Sequence, residues 1–391
     1  MADARPVCAD NARMGIRELT PAQAQARQAQ GAHLIDIREE HERATGMASG
    51  AQGVARAQLQ ADPSAYLGAK TEVLLICQSG KRSHDTAVFL EQAGYTQVAS
   101  VLGGTTRWQR EGLPLQRPAL APEQEDFFDR YSRHLRLPEV GVEGQRRLQA
   151  ARVLLVGAGG LGSPAGFYLA AAGVGQLRIA DDDVVERSNL QRQILHGDAR
   201  IGQAKVDSAA ASLGALNPGV RVEALRERVT ADNVERLLQD VDVVLDGSDN
   251  FPARYLLNDA CVKLGKPLVY GAVQRFEGQV SVFDAGRRRG QAPCYRCLFP
   301  EPPPPEFAPN CADAGVLGVL PGIVGLLQAN EVLKLLLNIG EPLRGRLLHF
   351  DALAMRFRET RLSADPQCPL CAPERPFPGY IDYAQFCGAE G

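Results

Sequence analysis

A charge excess of either sign is missing from this sequence. Its 43 lysines and arginines nearly balance 46 aspartates and glutamates, for a net charge of −3. Such a chain carries no broad attraction for nucleic acid or an anionic membrane, so neither is expected as a partner. An apolar leader is missing too. The opening residues, MADARPVCADNARMG, hold no hydrophobic h-region, which predicts no signal peptide and a cytoplasmic location. Residues 1–14 read as disordered. Long hydrophobic runs are also lacking. The longest, Val316 to Leu327, is broken by Pro321 and runs into Gln328, Asn330, Glu331 and Lys334, too short and too soon polar to span a bilayer. Tryptophan occurs once, at Trp108.

What remains is enough for two or more domains with cores of their own, in 391 residues. The nine cysteines include two Cys-x-x-Cys pairs, which point to metal or redox chemistry rather than a disulfide framework.

The stretch from Arg152 to Arg192 organises the chain. Arg152–Val156 is a short apolar run ending in Gly157-Ala-Gly159-Gly160-Leu-Gly162. A small-residue helix is predicted over Ser163–Ala172, then a strand over Gln176–Ala180 that ends on Asp181–Asp183. Strand, glycine turn, helix, strand and acid make the first βαβ unit of a nucleotide-binding sheet. Glycines let the backbone approach a phosphate, and the helix start offers oriented N–H groups. Taken alone, the stretch implies a dinucleotide dehydrogenase. Arg187-Ser-Asn189-Leu-Gln191-Arg192-Gln193 argues otherwise, because two cations and three amides beyond the ribose position suit a triphosphate.

Before this stretch, residues 15–117 read as a small α/β domain. Ala32–Asp36, Val73–Cys77 and Val98–Val101 are its strands, and a helix is predicted over His84–Ala93. Cys77 ends a buried strand just before a loop, Gln78, Ser79, Gly80, Lys81, Arg82 and Ser83. Loop N–H groups and the helix dipole would converge on its sulfur and stabilise the anion, with Arg82 adding charge. A buried structural cysteine would not require that loop. Residues 118–126, Pro/Ala-rich and acidic, read as a linker, and 127–391 as a second domain.

In that domain Lys205 stands at a predicted helix start, where it would meet a phosphate or lie in solvent. Val241–Leu245 ends in Asp246-Gly-Ser-Asp249-Asn250. Asp249 is placed to hold Mg²⁺ beside phosphates, while Ser248 or Asp249 would serve as helix N-cap. Cys294 and Cys297, with Cys368 and Cys371, make a closed Cys₄ zinc site that pins the C-terminal segment onto the sheet, away from the chemistry. FPEPPPPEFAPNCADA, from Phe299, is a proline-rich crossover loop that carries Cys311. Val319–Leu337 is an apolar helix for the core or a dimer interface.

Leu34-Ile-Asp36-Ile-Arg38-Glu39, the Cys77–Ser83 loop and Leu102-Gly-Gly104 with Trp108 resemble a rhodanese domain. The resemblance implies that Cys77 carries a persulfide. Residues 127–372 resemble the MoeB/ThiF family, relatives of the ubiquitin-activating enzymes. The carriers of that resemblance are Gly157–Gly162, Ser188–Arg192, Gly202-x-x-Lys205, Asp249-Asn250, both cysteine pairs and Asn310-Cys311-Ala-Asp-Ala-Gly315. It implies an α/β chain in which a rhodanese-like domain precedes a Rossmann-like domain with a mixed sheet and a structural zinc, one per chain.

The activity implied is adenylation, with ATP and Mg²⁺, of the C-terminal glycine of a ubiquitin-like sulfur carrier ending in Gly-Gly. Sulfur transfer from Cys77 would follow, fed by thiosulfate or a cysteine desulfurase. By position, Gly160, Asp181, Ser188, Asn189, Leu190, Gln191, Arg192, Lys205, Asp249 and Asn250 contact ATP, and Arg133 lies near the phosphates. Cys77, Arg192, Asp249 and Cys311 are the catalytic candidates, with Arg192 expected from the partner subunit of a homodimer. Molybdopterin synthesis is the leading pathway, and carriers for thiamine, siderophore or cysteine synthesis would read alike. A nicotinamide dehydrogenase and a carrier-docking module without catalysis are the competing readings.

Overall fold

The computed structural model describes residues 15–68, 71–117, 119, 121–301 and 315–386. Contacts divide the chain into two compact units, Met1–Pro138 and Glu139–Gly391.

The first unit is built on a five-stranded sheet. Its strands are β1 (Arg17–Leu19), β2 (His33–Asp36), β4 (Gln52–Gly53), β5 (Val73–Ile76) and β6 (Val98–Val101), in the order β1-β6-β5-β2-β4 and all parallel. A separate antiparallel pair joins β3 (Met47–Ala48) to β7 (Leu115–Gln116). β5 reads as a continuous apolar run, and Leu34 and Ile35 are the apolar centre of β2, because both faces of the sheet are covered. Leu34, Leu74, Ile76 and Trp108 pack in one cluster, and Ile35, Leu75, Cys77 and Leu90 in another.

Helix α1, Lys81–Gln92, follows β5 and begins three residues before the expected His84. Gly80, at φ +93°, turns the chain early, so Lys81 to Ser83 form the first helical turn rather than a loop. The segment expected as linker is helical from Pro122, over Pro122–Arg130. A proline at the first position, with Glu123 and Glu125 in the first turn, favours a helix start.

The second unit carries an eight-stranded mixed sheet, ordered β10-β9-β8-β11-β12-β13-β14-β15. Parallel strands are β8 (Arg152–Val156), β9 (Gln176–Ala180), β10 (Arg221–Leu225), β11 (Val243–Asp246) and β12 (Leu268–Gln274). Antiparallel strands β13 (Glu277–Phe283), β14 (Arg346–Asp351) and β15 (Arg356–Arg361) complete it. The sequence reading missed β14 and β15; β15, RFRETR, is exposed throughout and shows no apolar alternation.

Glycine-rich helix α2 (Gly162–Ala171) follows β8, α3 (Lys205–Leu216) precedes β10, and α4 (Phe251–Leu264) follows β11. Short helix α5 (Tyr295–Leu298) precedes the long α6 (Val319–Leu337). Helix α6 is long and apolar enough to cross a membrane by composition alone. Here it is a core helix. Leu320, Val324, Ala329 and Val332 join the main cluster, the Gln328 amide donates to the Asp246 carbonyl at 2.7 Å, and Glu331 accepts from Leu343 N at 2.7 Å.

Candidate functional site

In the first unit, Cys77 lies fully buried just past β5. Its Sγ accepts from the backbone N–H groups of Gly80 at 3.2 Å and Ser83 at 3.3 Å. The cradle needs glycine around it. A Cβ on Gly80 would lie 2.9 Å from Gly103 N, and one on Gly104 only 2.1 Å from the Cys77 carbonyl oxygen. That carbonyl accepts from both the N–H and the hydroxyl of Thr105. The loop thus presents donors to a sulfur held at the start of a twelve-residue helix.

Arg82 departs from expectation. Its guanidinium pairs with Glu42, at 2.8 Å and 2.6 Å, rather than hydrogen-bonding the sulfur. Burial works to raise the Glu42 carboxyl, but hydrogen bonds from Arg82 and the Glu39 backbone prevail and hold it below the usual range. Nearby, Arg38 is buried against Asp36 at 2.7 Å and donates to Gln78 Oε1 at 3.1 Å. Glu42 was missed in the sequence. Its only signal was an acid one helical turn past Arg38.

In the second unit a cavity of about 810 Å³ opens over the C-terminal ends of β8 and β11. This is the crevice where the strand order reverses, the ligand position of open α/β sheets. Gly157 (φ +94°) and Gly162 are demanded by packing. A Cβ at Gly157 would sit 2.7 Å from Gly247 O, and one at Gly162 only 2.0 Å from Gly157 O. Gly159 and Gly160 line the cavity itself, with Asp181, Arg192, Lys205, Asp249 and Asn250.

Asp181 accepts from Ala158 N at 2.7 Å and Asp183 N at 2.9 Å, so it braces the glycine turn. Burial raises its carboxyl above the ordinary value, against the pull of Lys205. Lys205 is buried and pairs with Asp183 at 2.7 Å, which places it in the cavity wall rather than in solvent. The helix cap is Asn250, which accepts from Ala253 N at 3.0 Å, and not Ser248 or Asp249. Ser248 is turned onto Asp246, which leaves Asp249 exposed at the cavity.

Arg192 lines the cavity of its own chain. After β9 the chain doubles back over Gly160 and is pinned by buried Leu195, and Asn189 Oδ1 holds the guanidinium at 3.0 Å. Ser188, Asn189, Leu190 and Gln191 lie outside the lining; Arg187–Asn189 form a short turn beside it. Arg133 is an exposed residue of the first unit. Cys311 lies outside the described residues.

Two lining groups had no part in the sequence reading. Arg254 is buried on Asp246 at 3.1 Å and donates to the Ser248 carbonyl at 3.1 Å, shaping the loop that presents Asp249. Tyr295 and Phe299 form aromatic wall. Arg254 was legible only as one residue on a helix rich in buried side chains.

The four thiols of Cys294, Cys297, Cys368 and Cys371 lie within 4.8 Å of one another, with sulfur separations of 3.9, 3.6 and 3.4 Å. Sulfurs around a tetrahedral zinc, at ~2.3 Å from the metal, stand ~3.8 Å apart. Backbone N–H groups of Asp365 and Cys371 point at Cys297 and Cys368. The donor set therefore fits a thiolate-bound zinc. It is not remote from the cavity, because Tyr295 sits between Cys294 and Cys297.

Comparison with known proteins agrees with both units. The ThiF family profile matches residues 131–370, and the rhodanese-like domain profile matches 20–111. The chain is 53% identical over 262 residues to the sulfur carrier protein adenylyltransferase of Thermus thermophilus, covering 67% of this chain and 97% of that protein. It is 49% identical over 275 residues to the probable adenylyltransferase/sulfurtransferase MoeZ of Mycobacterium tuberculosis, covering 70% and 68%. The adenylyltransferase and sulfurtransferase MOCS3 of Sus scrofa is 53% identical over 274 residues, covering 70% and 59%. The crystal structure of E. coli MccB with ATP superposes with TM-score 0.52 at 17% identity, over 65% of this chain and 82% of that one, a likeness of fold alone. With its strand order, its glycine turn and a match over most of its length, the chain belongs to the ThiF family and carries a rhodanese-like domain ahead of the ThiF domain.

Proposed function

We propose that this enzyme adenylates the C-terminal glycine of a small ubiquitin-like sulfur carrier with ATP, then converts it to a thiocarboxylate with sulfur from Cys77. The observation that carries the reading is the cavity over β8 and β11, where a glycine turn, Arg192, Lys205 and Asp249 converge. Backbone N–H groups at the start of α2 and the two cations suit the phosphates. The carrier carboxylate attacks the α-phosphorus, pyrophosphate leaves, and Arg192 and Lys205 stabilise the charge that develops. Asp249 is the residue to hold Mg²⁺, which would neutralise charge on the phosphates.

The Cys77 persulfide then attacks the acyl-adenylate carbonyl, AMP leaves, and an acyl disulfide links carrier to Cys77. A thiol attacking the Cys77 sulfur releases the thiocarboxylate and leaves a disulfide at Cys77; Cys311 is the candidate thiol. An external dithiol reduces that disulfide and is itself oxidised to a disulfide; Cys77 is then recharged by thiosulfate, with sulfite leaving, or by the persulfide of a cysteine desulfurase. Molybdopterin synthesis is the proposed pathway. The relative named as a sulfur carrier protein adenylyltransferase favours the chemistry without choosing the carrier. The Cys₄ cluster holds one structural zinc, the working unit is a homodimer, and the location is cytoplasmic. Carrier-dependent exchange of labelled pyrophosphate into ATP tests the first step. Its absence with every Gly-Gly carrier supplied would leave a docking module or an oxidoreductase instead.

A further inference from the structure

Helix α5 is only four residues long, yet it belongs to two places at once. Cys294 caps it and Cys297 lies within it, while Tyr295 forms part of the nucleotide cavity wall, with Phe299 just beyond. The residue between, Arg296, is 8% exposed and makes a two-pronged pair with Asp259, at 2.9 Å and 2.8 Å. Asp259 is itself buried, and it accepts two further hydrogen bonds. One comes from Asn258, at 3.1 Å, whose Oδ1 accepts from Tyr295 N at 2.8 Å. The other comes from the Tyr383 hydroxyl at 2.8 Å, a residue 124 positions further along the chain.

Phe386, one helical turn past Tyr383, completes the arrangement. The Arg296 guanidinium lies 4.9 Å from the Phe386 ring centre and 5.0 Å from that of Tyr255. Tyr255 packs edge-on against Phe386 and Tyr295, and its hydroxyl donates to the Phe299 carbonyl at 3.0 Å. A strap beyond Cys371 thus closes on the same aspartate and arginine that hold the cavity wall. Most of the strap is exposed, and Tyr383 is its buried anchor.

We propose that this C-terminal strap, residues 373–386, is a positioning element for the nucleotide cavity. Tyr383 and Phe386 fix Asp259 and Arg296, and these fix Tyr295 and Phe299 in the wall. The proposal rests on the nucleotide reading of the cavity. It has a necessary converse. If a docked strap favours the wall that binds nucleotide, bound nucleotide favours the docked strap by the same factor.

Hydrogen exchange on the full chain, with and without ATP and Mg²⁺, tests this without any substitution. Exchange at 378–386 is expected to slow by about threefold or more, together with the glycine turn at Gly157–Gly162, while α1 of the first unit stays unchanged. In the Tyr383→Phe variant the KM for ATP is expected to rise about fivefold with kcat changed less than twofold, metal content intact and sulfur transfer from Cys77 to cyanide unaffected. Loss of the nucleotide reading itself would show as a glycine turn that ATP does not protect. A protected turn beside a strap whose exchange does not change overturns the strap alone. So does a folded Tyr383→Phe protein with unaltered KM, or with kcat falling in parallel. Should that variant fail to fold, the exchange comparison on the unsubstituted chain decides.

Discussion

At the scale of single residues, the structure reassigns partners more than it reassigns roles. Arg192 and Asp249 line one cavity of one chain. Arg192→Ala is expected to lower adenylation by about a hundredfold or more, the scale of losing a charge-stabilising donor. Mixing that variant with Asp249→Ala should restore nothing after subunit exchange, since no composite site regains both groups. Recovered pyrophosphate exchange in the mixture would place Arg192 across a dimer.

His196 gives a second test. It lies under the glycine turn, with Nε2 against the Ala158 carbonyl and Nδ1 against Ser208 Oγ, each at 2.9 Å. Burial lowers its pKa below the ordinary value, so the folded protein favours the neutral ring. The unfolded chain then binds the proton first as pH falls. The ring's contribution is complete above roughly pH 6.5 and is lost below it, as pH falls toward the folded-state value. Urea unfolding at about pH 7.5 and about pH 5.5 should show a stability loss that shrinks in His196→Gln, while the remaining dependence comes from other groups.

At the scale of elements, backbone proximity decides what each position tolerates. Gly162 opens α2 where an added Cβ would lie 2.0 Å from the Gly157 carbonyl oxygen. Gly162→Ala has no flexible neighbour to displace and should cost about 2 kcal/mol or more, seen as a melting point of the second unit lowered by roughly 4–8 °C. An unchanged melting point would mean that the turn relaxes freely. The cysteine pairs act likewise as a joint between elements, tying α5 to the segment at Cys368–Cys371. Elemental analysis should find one zinc per chain. Its removal by a chelator should lower the second unit's melting temperature and leave the transition reported by Trp108 in the first unit in place. Folded, adenylating protein with no metal would refute the assignment.

At the scale of the whole molecule, two chemistries reside in two units with separate cores. They should therefore separate by mutation. Cys77→Ala removes the proposed sulfur nucleophile and leaves the glycine turn and its cations untouched. Carrier-dependent pyrophosphate exchange is expected to stay within about twofold of the unsubstituted protein, while thiocarboxylate formation, read by intact carrier mass, falls to background. Thiocarboxylate formed by the variant would mean that another sulfur donor reaches the adenylate directly.

Local chemistry was what the sequence by itself determined. The run into Cys77, the spaced glycines from Gly157, the acids after β9 and the paired cysteines each depend on neighbours a few residues away, so their spacing is their signal. Strand β8, strand β9 and helix α6 matched residue for residue, because local stops bound them: Gly157 ends the apolar run of β8, Gly175 and Asp181 bracket β9, and Gly318 precedes α6. What tertiary structure alone decided concerns groups distant along the chain. Glu42 takes Arg82 across 40 positions, and Tyr383 reaches Asp259 across 124. Strand β15 exists because β14 offers it an edge, although RFRETR has no apolar face. Burial sets such pairings: a charge withdrawn from water takes whichever partner the fold brings within reach, and no local pattern records which one that is.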